Sequence, residues 1–205
     1  MKEGVLSPSH QAVVRVFAAF STATFLLACA AGGVPYTSDP ERKLGWAREL
    51  YVNRHRPIPA ERLIKEAIEI YQERNDQLGL AKAYSMYGRF LQSPDYHTDT
   101  FFNKREDYPY WKDRATEYFQ KSLIIFLNQH QYHDASNAVL NLGILKMKSD
   151  RVEACSFFDQ SLKLHQEGIE KNPDQRFHLP SDVSSFVEGI GQLKKQAQCG
   201  ETRER

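Results

Sequence analysis

One four-residue pattern occurs twice and restricts the fold more than any other feature of the chain. Ala115, Phe119, Ser122 and Leu123 recur as Ala154, Phe158, Ser161 and Leu162, all four at the same offset of 39 residues. Within each set the spacing is i, i+4, i+7 and i+8, which gathers the four residues on one face of an α-helix. Upstream of each lies a second set at helical spacing: Tyr84, Tyr87, Gly88 and Leu91 before the first, Val139, Leu142 and Gly143 before the second. Gly143 and Ala154 have almost no side chain, so two backbones can approach closely there, with Phe158 filling the space beside them. Gly88 corresponds to Gly143. The last pair of helices is expected over 134–148 and 151–165, folded back on each other at the turn Ser149-Asp150.

This small-residue pattern resembles the tetratricopeptide repeat (TPR), a helix-turn-helix unit of about 34 residues. The resemblance covers roughly Glu41 to Asn172. It implies an all-α fold, a TPR-like solenoid of about three helical hairpins with a C-terminal capping helix. The first unit departs most from the pattern. Its opening helix is expected from Pro40 to about Asn53, with Asp39 as cap and Pro40 in the first turn, where no donor is needed. After a connector from Arg54 to Ile58, Pro59 opens the second helix. There Ala60, Ile64 and Ala67 stand where Ala154, Phe158 and Ser161 do in the last unit. Arg48 sits where the repeat prefers glycine. The second unit starts with a helix over Ala81 to Gln92 and resumes at about Trp111. The helix holding Cys155 is expected to run on to Asn172. A final amphipathic helix from Ser181 to near Cys199, carrying Val183, Phe186, Val187, Ile190 and Leu193, would cover the last apolar face. The helical domain thus spans 39–199, followed by a charged tail, 200–205. No sustained apolar/polar alternation bounded by turn residues indicates strands.

In the family the first helix of each unit lines a concave groove. Carried over by position, that groove would present Trp46, Glu49, Lys82, Ser85, Arg89, Asn137, Leu140, Asn141, Ile144 and Met147. The mixture lacks the Lys/Asn cluster with which some members clamp a peptide carboxylate, and it suits a protein segment rather than a free C-terminus.

Gly88 precedes Ala115 by 27 residues, whereas Gly143 precedes Ala154 by 11. An insertion of roughly fifteen residues therefore splits the second unit, read as a loop over about 94–110. It holds Tyr96, Phe101, Phe102, Tyr108, Tyr110 and Trp111 among Lys104, Arg105, Glu106 and Asp107. That is too aromatic for a disordered segment. Aromatic rings with arginine anchor protein interfaces, because stiff rings bury much area at little entropic cost. Tyr96, Phe101, Phe102, Arg105, Tyr108, Tyr110 and Trp111, with Arg89, Asn141 and Ile144, are accordingly the candidate partner-binding residues. The competing expectation is that some of these rings pack on the protein's own helices as a lid.

The N-terminus reads as a processing signal. Lys2 and Arg15 supply positive charge, an apolar run follows from Val13, and it ends in Leu26-Leu27-Ala28-Cys29. Arg15 shortens that run below the ~20 residues of a membrane-spanning helix. Leu-Leu-Ala-Cys resembles a bacterial lipobox, which implies a signal peptide over 1–28, acylation of Cys29 and a tether over 29–38. Ala30 rather than Asp after the cysteine implies sorting to the outer membrane, facing the periplasm.

The net charge of +1, with no long run of one sign, argues against a nucleic-acid footprint, which needs a basic stripe. No G-x-S-x-G, H-E-x-x-H, glycine-rich phosphate loop or C-x-x-C is present, so no catalytic residue, metal site or cofactor is assigned. His130, His133 and Asp134 form an H-x-x-H-D cluster, expected as unliganded side chains at a turn. The expected function is a non-catalytic protein-binding scaffold, lipid-anchored to the bacterial outer membrane on its periplasmic side, with another protein as partner. The alternative is an immunity-type inhibitor lipoprotein that neutralises a toxic secreted effector enzyme.

Export also bears on the cysteines, since two thiols in reach of each other usually pair in an oxidising compartment. The helix containing Cys155 and the final helix are joined by a short connector and are expected to pack antiparallel. Cys155 and Cys199 are equidistant from residue 177 within that connector, so a disulfide between them is expected at the open end of the hairpin.

Overall fold

The computed structural model describes residues 36–103, 106, 108–171 and 185–200, with only the backbone of 100–103. The chain divides into two units, Met1–Tyr36 and Thr37–Arg205, and the helices described here all belong to the second. The expected signal peptide, Cys29 and the tether as far as residue 35 lie outside the described residues, as do Asn172 to Ser184 and the tail from residue 201.

Among the described residues the fold is all-helical. Eight α-helices follow in order: α1 Pro40–Val52, α2 Pro57–Glu73, α3 Gln77–Gln92, α4 Pro94–Asn103, α5 Trp111–Asn128, α6 Tyr132–Lys146, α7 Arg151–Lys171 and α8 Phe186–Gln196, with a 3₁₀ turn at Tyr108–Tyr110. The starts are set by local chemistry. Asp39 accepts from the Glu41 amide, Asp76 from that of Gly79, and Ser185 from that of Glu188, each satisfying a helix-end donor with no intrahelical partner. Asp76 brings α3 in at Gln77, earlier than Ala81. Helix α2 starts at Pro57 rather than Pro59, because the first turn tolerates prolines at both positions. Asn75 and His130, just past the ends of α2 and α5, take left-handed backbone conformations (φ 52° and 54°) that reverse the chain.

The helices pack chiefly as α1 on α2, α3 on α5 and α6 on α7, and these pairs adjoin through α2–α3 and α5–α6. The pairing follows the smallest residues. A Cβ placed on Gly88 would lie 2.7 Å from the Phe119 ring, and one on Gly143 would lie 2.6 Å from that of Phe158. Each glycine is therefore a socket for the phenylalanine four residues after the buried alanine, Ala115 or Ala154. Beside the second socket, Ser136 and Ser161 are buried and bond reciprocally, each hydroxyl donating to the other's carbonyl at 2.8 and 2.9 Å. The first pair has no glycine at this contact. Its small buried residue is Ala47, opposite a helix bearing fully buried Ala60, Ile64 and Ala67. Arg48, aligned in the sequence with the glycine, is exposed, so the register of α1 is one residue earlier than expected. Between the second and third pairs, Ala81, Phe126, Ala135, Val139 and Leu164 form one continuous apolar cluster.

Helix α8 closes this end. Phe186, Ile190 and Ala197 pack with Ala154 and Phe158 of α7, with Leu140, Met147 and Leu162 alongside. Cys155 and Cys199 are joined in a disulfide with Cα atoms 5.7 Å apart, across a separation of 44 residues. Lys194 reinforces the junction through Asp159 at 2.6 Å, and Arg151 donates to Gln198.

The disulfide closes a long loop and so restricts the unfolded chain. Its removal in Cys155→Ser/Cys199→Ser should lower unfolding free energy by about 2–4 kcal/mol, measured by urea denaturation. Two titratable thiols at these positions in the unreduced protein, or an unchanged urea midpoint, would contradict the pairing.

Candidate functional site

A concave space of about 330 Å³ lies where α1, α3 and α6 converge. Helix α1 contributes Glu41, Leu44, Gly45 and Arg48, and α3 contributes Lys82, Ser85, Met86 and Arg89. Both sets run i, i+3, i+4 and i+7, one face of each helix. Asp134 and Asn137 of α6 complete the wall, and Phe126 of α5 forms an apolar floor.

The charge in this space is mostly positive. Glu41 accepts from the Tyr71 hydroxyl at 3.1 Å. Burial raises the Asp134 carboxyl above its ordinary range, and the nearby Lys82 and Arg89 draw it back down. Arg89 and Arg48 also act together on the phenol of Tyr51, which burial raises. Among the described residues, neither these two arginines nor Lys82 forms an ion pair or a hydrogen bond.

Of the groove residues expected from the sequence, the structure brings together Lys82, Ser85, Arg89 and Asn137. On α1 the lining residues are Gly45 and Arg48 instead of Trp46 and Glu49, the same one-residue shift that puts Ala47 in the core. Leu140 and Met147 belong to the apolar cluster under α8 and do not line the space. Asn141 is half-buried, donating to the Asn137 carbonyl at 2.7 Å and accepting at its own carbonyl from Gln92 of α3 at 3.4 Å. It braces α6 against α3. Ile144 is 38% exposed, outside this space.

The insertion differs from the loop expected over 94–110. Most of it is helix α4, opened by Ser93, which accepts from the Tyr96 amide at 3.2 Å, and by Pro94 in the first turn. Ser93-Pro94-Asp95 is an ordinary helix-start signal that the density of aromatics obscured. Tyr96 is fully buried, edge-on to Phe90 at 5.4 Å, and so is core rather than a partner anchor. His97 packs against Trp111 at 4.6 Å and Tyr108 at 5.8 Å, and its imidazole is held below the usual range by burial. Trp111 is half-buried, while Tyr108 is partly exposed and Tyr110 is 63% exposed. The side chains of Phe101, Phe102 and Arg105 lie outside the described residues. Tyr96 thus fastens the insertion onto the protein's own helices, as the competing expectation has it, while Tyr110 faces out.

His130 and His133 do not act as one cluster. His133 is buried in α6 against Gly168 and 5.7 Å from the His165 ring, while His130 sits in the preceding turn. Among the described residues no group of three or more His, Cys, Asp or Glu side chains is placed to hold a metal ion, and no helix is long and apolar enough to cross a membrane. Comparison with family models, with curated proteins and with solved structures gives no match to this chain.

Two measurements bear on these placements. Tyr96→Ala should cost about 3–5 kcal/mol of unfolding free energy, the range for a buried aromatic, and Tyr110→Ala under about 0.5 kcal/mol; equal effects in urea titrations would show Tyr96 to be a surface residue. The second is acid sensitivity. Burial lowers the imidazole pKa of His133 and His165 below 6.5, and each faces the other, with Asp134 opposing the shift at His133. The unfolded chain then binds more protons than the folded one as pH drops through 6.5. Their contribution is present in full above that value and is lost progressively below it. His133→Gln/His165→Gln should flatten the dependence of Tm on pH below 6.5, while the neutral-pH Tm serves as its reference.

Proposed function

We propose that this chain is a non-catalytic protein-binding scaffold of TPR-like architecture, a three-hairpin solenoid anchored through acylated Cys29 to the bacterial outer membrane and facing the periplasm. The observation that carries the reading is the concave space lined by the first helices of three successive hairpins, α1, α3 and α6. Its walls are polar and its floor is apolar, as a surface must be to hold an extended or helical segment of another protein. The paired sockets Gly88–Phe119 and Gly143–Phe158 support the repeat architecture, because two hairpins are closed by the same contact. The Cys155–Cys199 disulfide supports export, since such bonds persist in oxidising compartments. The partner is a protein segment, and the interaction is one of binding without turnover.

The test uses the full-length chain in its host cell envelope. A photo-crosslinking residue at Ser85 or Met86, inside the concave space, should give a discrete adduct with another protein. The same residue at exposed Lys163 on α7 should not. Radiolabelled palmitate should enter the wild-type chain and be lost in Cys29→Ser, with the protein then released from the membrane fraction. Identical adduct patterns from the groove and α7 positions would remove the groove from the function. Palmitate labelling that survives Cys29→Ser would remove the anchor.

A further inference from the structure

The glycines of the described helices fall into two kinds. Gly79, Gly88, Gly143 and Gly168 are each filled by an aromatic or imidazole ring, so the fold itself requires them. Gly45 is different. A Cβ there would meet nothing within 4 Å, although the residue lies in the middle of α1, where glycine is a poor helix former compared with alanine. No contact within the described residues accounts for it. Gly191 on α8 is open in the same way but does not line this space. At Gly45 the backbone of α1 is bare toward the concave space, and an incoming chain could lie directly against it.

The charge around Gly45 is mostly positive. Arg48 stands three residues further along the same face, and Lys82 and Arg89 face it from α3. Two carboxylates, Glu41 and Asp134, line the same space, so cations outnumber carboxylates three to two, and the Glu41 carboxylate is turned to the Tyr71 hydroxyl. Two of the three cations are arginines, whose planar forks bind carboxylates through paired hydrogen bonds. Leu44, Met86 and Phe126 supply apolar surface between them.

We propose that the occupant of this groove is an acidic peptide segment of a partner protein, its backbone laid against Gly45 and its Asp or Glu side chains held by Arg48, Lys82 and Arg89. The proposal rests on the reading of this face as a protein-binding groove and adds the chemistry of what it selects. Side-chain carboxylates within a segment are the recognised groups, so selectivity tracks the acidity of the segment. Electrostatic capture of this kind is screened by salt.

The test measures fluorescence anisotropy of two labelled peptides on the purified full-length chain in detergent. One alternates leucine with glutamate; the other replaces every glutamate with glutamine. The glutamate peptide should bind about tenfold or more tightly than the glutamine peptide at low salt, and the advantage should shrink at high salt. Arg89→Glu and Lys82→Glu, both at exposed positions, should abolish the preference, whereas Lys163→Glu on α7 should retain it. Gly45→Trp, which fills the groove without changing charge, should block binding of both peptides; circular dichroism confirms that each variant is helical. Equal binding of the two peptides, still blocked by Gly45→Trp, overturns the acidic preference and leaves the groove standing. Binding that survives both Gly45→Trp and Arg89→Glu, or that falls equally with Lys163→Glu, overturns the proposal. So does the absence of binding by either peptide.

Discussion

The approach of a phenylalanine ring to a glycine of the facing helix is the contact on which the rest of the packing depends. It occurs twice, at Gly88–Phe119 and Gly143–Phe158, with almost the same clearance. Any side chain at either glycine would overlap the ring by roughly an ångström, a displacement a close-packed interior does not absorb locally. The socket therefore fixes how near the two helices of a hairpin lie and which faces meet. Once those faces are set, the outward face of each first helix is set too. That is how a core contact comes to position Lys82, Ser85 and Arg89 of α3 beside Asn137 of α6.

Polar contacts inside this frame add direction rather than bulk cohesion. Glu61 is buried, yet its carboxylate accepts from Tyr87 at 2.7 Å and from Lys65 at 2.9 Å, and Arg114 donates to Tyr87 at 2.8 Å. The network joins α2, α3 and α5 at one point. Desolvation and the neighbouring Glu61 carboxylate push the Tyr87 phenol upward, keeping it a donor throughout the physiological range. A buried charge left without such partners would be costly, so the alignment of successive hairpins is constrained where an apolar contact alone would let them slide. Ser136 and Ser161 constrain the third hairpin in the same manner, through bonds that only one register satisfies.

The sequence made the second and third hairpins legible because glycine and phenylalanine leave an unambiguous signature at helical spacing. The first hairpin carries no such mark. Alanine is common on helices, so Ala47 did not announce itself, and aligning Arg48 with the glycines rotated the expected face of α1 by one residue, about 100°. That single step replaced Gly45 and Arg48 with Trp46 and Glu49 in the expected groove. The insertion was misread for another reason. Aromatic density suggested an interface, but aromatic residues also make good core, and sequence alone does not tell which rings find a buried partner. Tyr96 does, against Phe90, while Tyr110 does not. The cysteine pair was legible because its distance depended only on helix lengths and a short connector, quantities that survive small errors at helix ends.

Glycine has opposite meanings on the two sides of α1, α3 and α6. Toward the second helix of the second and third hairpins it is a socket, and its absence of a side chain is used by the protein's own phenylalanines. Toward the concave space, Gly45 offers the same bareness to no residue described in the chain. Helix stability alone would favour alanine there, since the backbone of glycine loses more freedom on folding. Packing gives no offsetting contact. A residue that weakens its helix and meets no described residue, set beside Arg48 and opposite Lys82 and Arg89, is the place where the proposed external chain would lie. The stability of the fold and the proposed selectivity of the groove are thus separable. The first is held by Gly88 and Gly143 in the core, and the second by Gly45 and three exposed cations that can be changed without touching a buried contact.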